Sequence, residues 1–114
     1  NMGVNDIWLG PPGAPINAVT ANYSLLLTDG GSVITMANAA SRDVTLPANA
    51  DIAFPIGTMV NVIRRGAGAA RIVGATGVTV NGTSAGIVSI SAQWQGAQAL
   101  KVGTNEWIVS GAIS

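Results

Sequence analysis

The chain has 114 residues, 48% of them hydrophobic and only 9% charged, and its five basic side chains balance five acidic ones. That length suits one compact domain and leaves no room for a second, and the lack of net charge argues against sequence-independent binding of nucleic acid. Neither cysteine nor histidine occurs, which removes disulfides, Cys/His zinc sites, thiol nucleophiles and imidazole bases, so no catalytic residue, metal or cofactor is expected.

Residues 1–22 read as an extended arm. Gly10-Pro11-Pro12-Gly13-Ala14-Pro15 holds three prolines, which cannot donate ladder hydrogen bonds or sustain a helix. Ile7, Trp8 and Leu9 before it and Ile16 after it are apolar residues suited to docking on a partner, with packing of Trp8 on its own domain the plainer alternative. The start of the chain lacks the basic and apolar segments of a secretory signal, and no apolar run approaches the roughly 20 residues of a spanning helix, so no membrane partner is expected.

From residue 23 to residue 114 the pattern is that of a single β domain, with short β-type runs divided by turn residues every eight to twelve positions or so. The runs are Tyr23–Thr28, Ser32–Met36, Asp43–Leu46, Thr58–Arg64, Ala70–Val73, Val78–Asn81, Ile87–Ser91, Ala97–Val102 and Glu106–Ser110. The spacing predicts an all-β fold, an antiparallel sandwich or barrel of about eight or nine strands. Alternation is cleanest in Met59-Val60-Asn61-Val62-Ile63-Arg64, Val78-Thr79-Val80-Asn81 and Val88-Ser89-Ile90-Ser91, where one face is core and the other points outward. Asp29-Gly30-Gly31, Asn81-Gly82 and Gly103-Thr104-Asn105 read as hairpin turns, because each supplies residues tolerant of positive φ. The stretch from Pro47 to Phe54-Pro55 leaves space for a turn or one short helical turn.

Little in this chain resembles reactive chemistry. Gly66-Ala67-Gly68-Ala69-Ala70-Arg71 is superficially like a dinucleotide-binding loop, but Arg71 replaces the last glycine and Ile72-Val73-Gly74 cannot begin the required helix. Arg64, Arg65 and Arg71 cluster around that loop and are candidates for contact with carboxylates, phosphates or acidic sugars, against the blander reading of solvated hairpin charges. The acids form no local calcium motif, and a glycosidase pair drawn from distant strands is a remote reading. Lys101 and Glu106 flank a turn and are expected to pair across it.

The run from Tyr23 onward resembles a small β domain that recurs in the virion structural proteins of tailed bacteriophages, including tail fibres. The likeness rests on the opening Tyr23-Ser24-Leu25-Leu26-Leu27-Thr28-Asp29-Gly30-Gly31, on Val44-Thr45-Leu46-Pro47-Ala48-Asn49 and on Phe54-Pro55-Ile56-Gly57-Thr58. It continues in Ala75-Thr76-Gly77-Val78-Thr79-Val80-Asn81 and Leu100-Lys101-Val102-Gly103-Thr104-Asn105-Glu106-Trp107. The resemblance implies a virion location, assembly in the bacterial host cytoplasm and a homotrimer, and it transfers no catalytic residue. A short chain behind a Pro-rich arm fits a decoration, or cement, protein that sits on the head and clamps the major capsid protein through Ile7, Trp8, Leu9 and Ile16. The alternative is a tail-fibre or receptor-binding module whose Arg64, Arg65 and Arg71 meet a host glycan. The paucity of charge points the same way as the trimer, since little repulsion holds copies apart.

Overall fold

The computed structural model of the chain describes residues 13–113. Period-two patterning sets the local structure. In β5 (Met59–Arg64), Val60 and Val62 are fully buried while Met59 is exposed and Asn61 and Ile63 are half-buried on the opposite face.

The first six strands alternate between two sheets. β1 (Ile16–Val19), β3 (Val33–Met36) and β5 lie in one, and β2 (Tyr23–Ser24), β4 (Arg42–Leu46) and β6 (Ala70–Gly74) in the other. Each trio is parallel throughout. The chain therefore winds as three coils, and the crossover that any parallel pair needs is supplied by a strand of the opposite sheet instead of a helix. The remaining strands close the winding with antiparallel partners, except where β7 (Thr79–Val80) meets β11 (Glu106–Gly111). β10 (Gly96–Gly103) pairs with β5 and with β11, β9 (Ile87–Ser89) pairs with β6, and β7 joins β11 in parallel and β8 (Thr83–Ser84) in a hairpin. The result is a seven-stranded sheet in the order β1-β3-β5-β10-β11-β7-β8 and a four-stranded sheet in the order β2-β4-β6-β9.

The all-β expectation thus stands at the level of two mixed sheets around one core, while the expectation of antiparallel pairing needs correction: β1, β3 and β5, and likewise β2, β4 and β6, run parallel. Alternating burial reads the same in either orientation, and only turn chemistry separates them. Asn81 and Gly82, at φ of 49° and 82°, make the expected two-residue hairpin between β7 and β8, and Thr104-Asn105 closes that between β10 and β11. Asp29-Gly30-Gly31 makes no hairpin. Leu27–Asp29 forms a 3-10 turn that carries the chain from β2 in one sheet to β3 in the other, so the strand expected over Tyr23–Thr28 ends at Ser24. Ile16–Val19, read as part of the arm, pairs along its whole length with Val33–Met36. Ile7, Trp8 and Leu9 lie outside the described residues.

Ile34, Met36, Val60, Val62, Ala97, Ala99, Trp107 and Val109 from the larger sheet face Val44, Leu46, Ala70, Ile72 and Val88 from the smaller, with Ile90 just after β9 completing the layer. Phe54 closes the core edge-on against Trp107, with ring centroids 5.7 Å apart at 86°. Each buried Val, Leu, Ile, Met or Phe among them contributes about 1.5–3 kcal/mol by leaving water. The Arg71–Asp43 ion pair at 2.7 Å, half-exposed on both sides, contributes about 0–1 kcal/mol. Apolar burial therefore holds the fold.

Two polar groups mark the margins of the core. At the first coil Asn17 of β1 and Tyr23 of β2 point inward, next to Val19 at the other inward position of β1, and both polar side chains bond to buried Asp29. Tyr23 donates its hydroxyl to Asp29 Oδ2 at 2.5 Å, Asn17 Nδ2 donates to Oδ1 at 3.2 Å, and the Leu26 N–H donates to Oδ2 at 2.8 Å. This polar plug ends the apolar interior, as a capping repeat does in a solenoid. Burial and the neighbouring Asp29 carboxylate raise the Tyr23 hydroxyl above its ordinary pKa. Lys101, 2% exposed, points inward from β10 opposite Trp107 and donates to Asn49 Oδ1 and the Phe54 carbonyl, each at 2.8 Å. The expected Lys101–Glu106 pair is thus not formed, because the period of two turns Lys101 into the core while Glu106 stays exposed. Desolvation lowers the Lys101 pKa.

Candidate functional site

The outer face of the seven-stranded sheet is built by the residues that the core does not use. Register sets them in rows across the strands. Ile16, Val33, Asn61, Gln98 and Ser110 form one row, Ala18, Thr35, Ile63 and Gly96 a second, and Met59, Leu100 and Ile108 a third. None of the side chains in these three rows is charged; a further row, Glu106, Thr79 and Ser84, carries the carboxylate of Glu106. Ile16 is 65% exposed, and Met59 and Ile108 are each 46% exposed.

The middle of this face is dented. Gly96 and Gly111 join Val33, Asn61, Ile63, Gln98 and Ser110 in lining a concavity of about 540 Å³. A Cβ on Gly96 would meet Ile63, and one on Gly111 would meet the Gly96 carbonyl. Thr35 lies in the adjoining row, 9% exposed, and its hydroxyl has no hydrogen-bond partner among the described residues. A buried hydroxyl without a partner is uncommon in a finished structure. Parallel strands are ordinarily covered on both faces, and this outer face has the composition of one that is covered.

At one end of the two sheets the connecting loops stack as a second surface. The Arg65 and Gly66 N–H groups donate to the Met36 carbonyl, and the Gly68 N–H donates to the Asn38 carbonyl. A Cβ on Gly66 or Gly68 would strike the backbone of Asn38 or of Ala39 and Ala40, so this layer needs glycine at both positions. The glycines that superficially resemble a phosphate-binding loop are therefore a loop-stacking device.

The three arginines of this region have separate fates. Arg64 donates to the Gly66, Ala67 and Ile90 carbonyls at 3.3, 2.5 and 3.2 Å and so braces the loop. Arg71 bonds Asp43 on the outer face of the smaller sheet. Arg65 is exposed and forms no ion pair among the described residues. The three do not converge on one point.

Beside Arg65 lies a residue that the sequence reading passed over. Trp94 is 70% exposed with φ at 72°, in a turn closed by the Gln95 N–H donating to the Ala92 carbonyl at 3.3 Å. Its own N–H donates to the Arg64 carbonyl at 2.7 Å, and Gln93 Nε2 donates to the Arg65 carbonyl at 2.9 Å. The available signal was Gln93-Trp94-Gln95, one aromatic between amides in a gap between two strand runs.

No protein-family model matches the chain, and no curated protein is significantly similar to it.

Among the described residues no cluster of acids has the makings of a metal site. Asp29 is bound by Tyr23, Asn17 and the Leu26 amide, Asp43 by Arg71, and Asp51 and Glu106 are exposed.

Proposed function

We propose that this chain is a non-catalytic structural module of a bacteriophage particle that works as a homotrimer, joined through the outer face of the seven-stranded sheet. One observation carries the self-association: three side-chain rows across that face contain no charge. They surround a concavity and adjoin the partnerless Thr35 hydroxyl. A second copy supplies apolar surface and polar groups to such a face without desolvating a charge.

The particular role we assign is capsid decoration at the virion surface, with the major capsid protein as partner and Ile7, Trp8, Leu9 and Ile16 as the contacts. Three equivalent arms on a closed trimer add weak contacts through effective concentration. Support for the head location comes from the sequence resemblance and the Pro-rich segment. The test is the copy number per purified virion, measured by quantitative mass spectrometry against the major capsid protein. A number comparable to that of the capsid protein is expected, and a number typical of a tail appendage overturns the decoration role.

A second reading, a tail-fibre or receptor-binding module, is favoured by the exposed Trp94 beside Arg65. Deleting residues 1–12 separates the two. Loss of head binding belongs to a decoration protein, and unchanged adsorption to cells belongs to a receptor binder.

A further inference from the structure

We infer that the loop Ala92–Gln95 is a saccharide-binding site, with the Trp94 indole as its stacking platform. The inference rests on the receptor-contact reading only for the biological source of the sugar; the chemistry is read from the loop.

The backbone gives the first reason. Trp94 occupies the third position of a four-residue turn at positive φ, where glycine or asparagine is ordinarily found because a Cβ is crowded there. A bulky residue accepts that conformation at a local cost, and at 70% exposure the indole recovers little of it through packing. Folding therefore gives no reason for tryptophan at this position.

The loop is also held still. Trp94 and Arg64 exchange bonds with the backbone across the loop pair, since the Trp94 N–H donates to the Arg64 carbonyl and the Arg64 N–H donates to the Gln95 carbonyl at 2.9 Å. Gln93 ties its side chain to Arg65, and Arg64 braces the neighbouring loop through three carbonyls. An aromatic ring presented on a fixed loop loses little freedom on binding.

The surroundings select the ligand. Ser91, Gln93 and Gln95 neighbour Trp94 in the chain, so apart from Ala92 the loop around the tryptophan carries amides and a hydroxyl and no further large apolar side chain. A protein interface hot spot sits in a well-packed apolar centre. A pyranose fits this arrangement better, because its C–H face meets the negative face of the indole while its hydroxyls bond to amides at the rim. Arg65 on the adjoining loop adds a cation suited to a carboxylate- or phosphate-bearing sugar.

The experiment uses the full chain, fluorescently labelled, and its Trp94→Gly and Arg65→Gln variants. Binding is read on an array of bacterial surface polysaccharides and on whole bacterial cells before and after periodate oxidation of surface sugars. At least one polysaccharide should bind the wild type, Trp94→Gly should lose at least tenfold in affinity, and Arg65→Gln should weaken binding to acidic polysaccharides and reduce its salt dependence. Trp94→Gly should melt no lower than the wild type, which separates lost recognition from lost fold. An array without a binder, or binding that survives Trp94→Gly, overturns the inference. Cell adsorption that resists periodate but needs Trp94 also overturns it, while sparing the receptor-contact reading. Dissociation of the oligomer by Trp94→Gly would make the loop a subunit contact and overturn it as well.

Discussion

Lys101 is the residue whose placement departs most from its chemistry. A lysine 2% exposed with only neutral partners, Asn49 and the Phe54 carbonyl, has a pKa below its ordinary value. The folded state then sheds its proton at a lower pH than the unfolded chain does, so the unfolded state binds more protons between the two values. Stability should rise with pH over that window, up to the unfolded lysine's 10.5. Lys101→Met keeps the stem and removes the charge. Urea denaturation of wild type and variant from about pH 8 to about pH 10 should show a rise in midpoint for the wild type that the variant lacks; equal slopes would contradict this. Tyr23 acts in the opposite sense. Its raised pKa means that the folded state keeps a proton the unfolded chain loses above 10.0, so its contribution is present below that pH and is lost as pH climbs through the folded value. Asp29, 5% exposed and accepting three hydrogen bonds, anchors the plug at the first coil. Replacing it with alanine leaves Asn17, Tyr23 and the Leu26 amide without their acceptor and should cost about 2–4 kcal/mol, read from the denaturation midpoint. The pairing of Lys101 with Glu106 was misjudged from spacing alone, since residues flanking a turn face each other only when both point to the same side of the sheet.

At the scale of elements, the run boundaries were legible and the connectivity was not. Val60, Val62, Val78, Val80, Val88 and Ile90 are buried as their alternation indicates, because burial of one face needs only a period of two. The coiled winding left no such mark. Its later coils are regular, with Asp43 and Arg71 stacked 28 positions apart, but the first coil is shorter and sets Asn17 and Tyr23 at inward positions beside Val19, so no repeat is visible. β1 was hidden by its proximity to the proline cluster. Two of three hairpin signals held, at Asn81-Gly82 and Thr104-Asn105, because a two-residue turn demands its own chemistry. The Asp29 turn shares that composition for another purpose. The stacked loops give the sharpest test at this scale. A Cβ on Gly68 would collide with the backbone of Ala39 and Ala40, where no flexible side chain can yield. Gly68→Ala should destabilise by about 2–4 kcal/mol, whereas Gly77→Ala, whose cost is confined to a positive φ of 87° in open space, should cost about 1 kcal/mol. Equal thermal shifts for the two would show that the loop layer is not packed as described.

For the whole molecule, the distribution of charge matters more than its total. Arg42, Asp43 and Arg71 lie on the smaller sheet, Arg64 and Arg65 at the end of β5 where the loops stack, Asp51 in the connection after β4 and Glu106 at the start of β11; Asp29 and Lys101 are buried, and the three rows of Ile16, Ala18 and Met59 across the larger sheet are uncharged. Low charge content suggested association from composition alone, but which surface carries it depends on register, and a one-residue slip would exchange inner and outer faces. The site candidates divide in the same way. Arg65 is on the surface as expected, Arg64 and Arg71 are engaged within the chain, Ile16 stands exposed on the edge strand, and Trp94 came only from the structure. Sedimentation equilibrium of the full chain, wild type against the Met59→Glu/Ile108→Glu double variant, tests the self-association most directly. Both side chains are exposed, so the substitutions should leave the fold within about 1 kcal/mol while setting carboxylates into a row that has none. A wild type at three times the chain mass with a folded, monomeric variant is the expected result; a monomeric wild type, or a variant that remains trimeric, would contradict it.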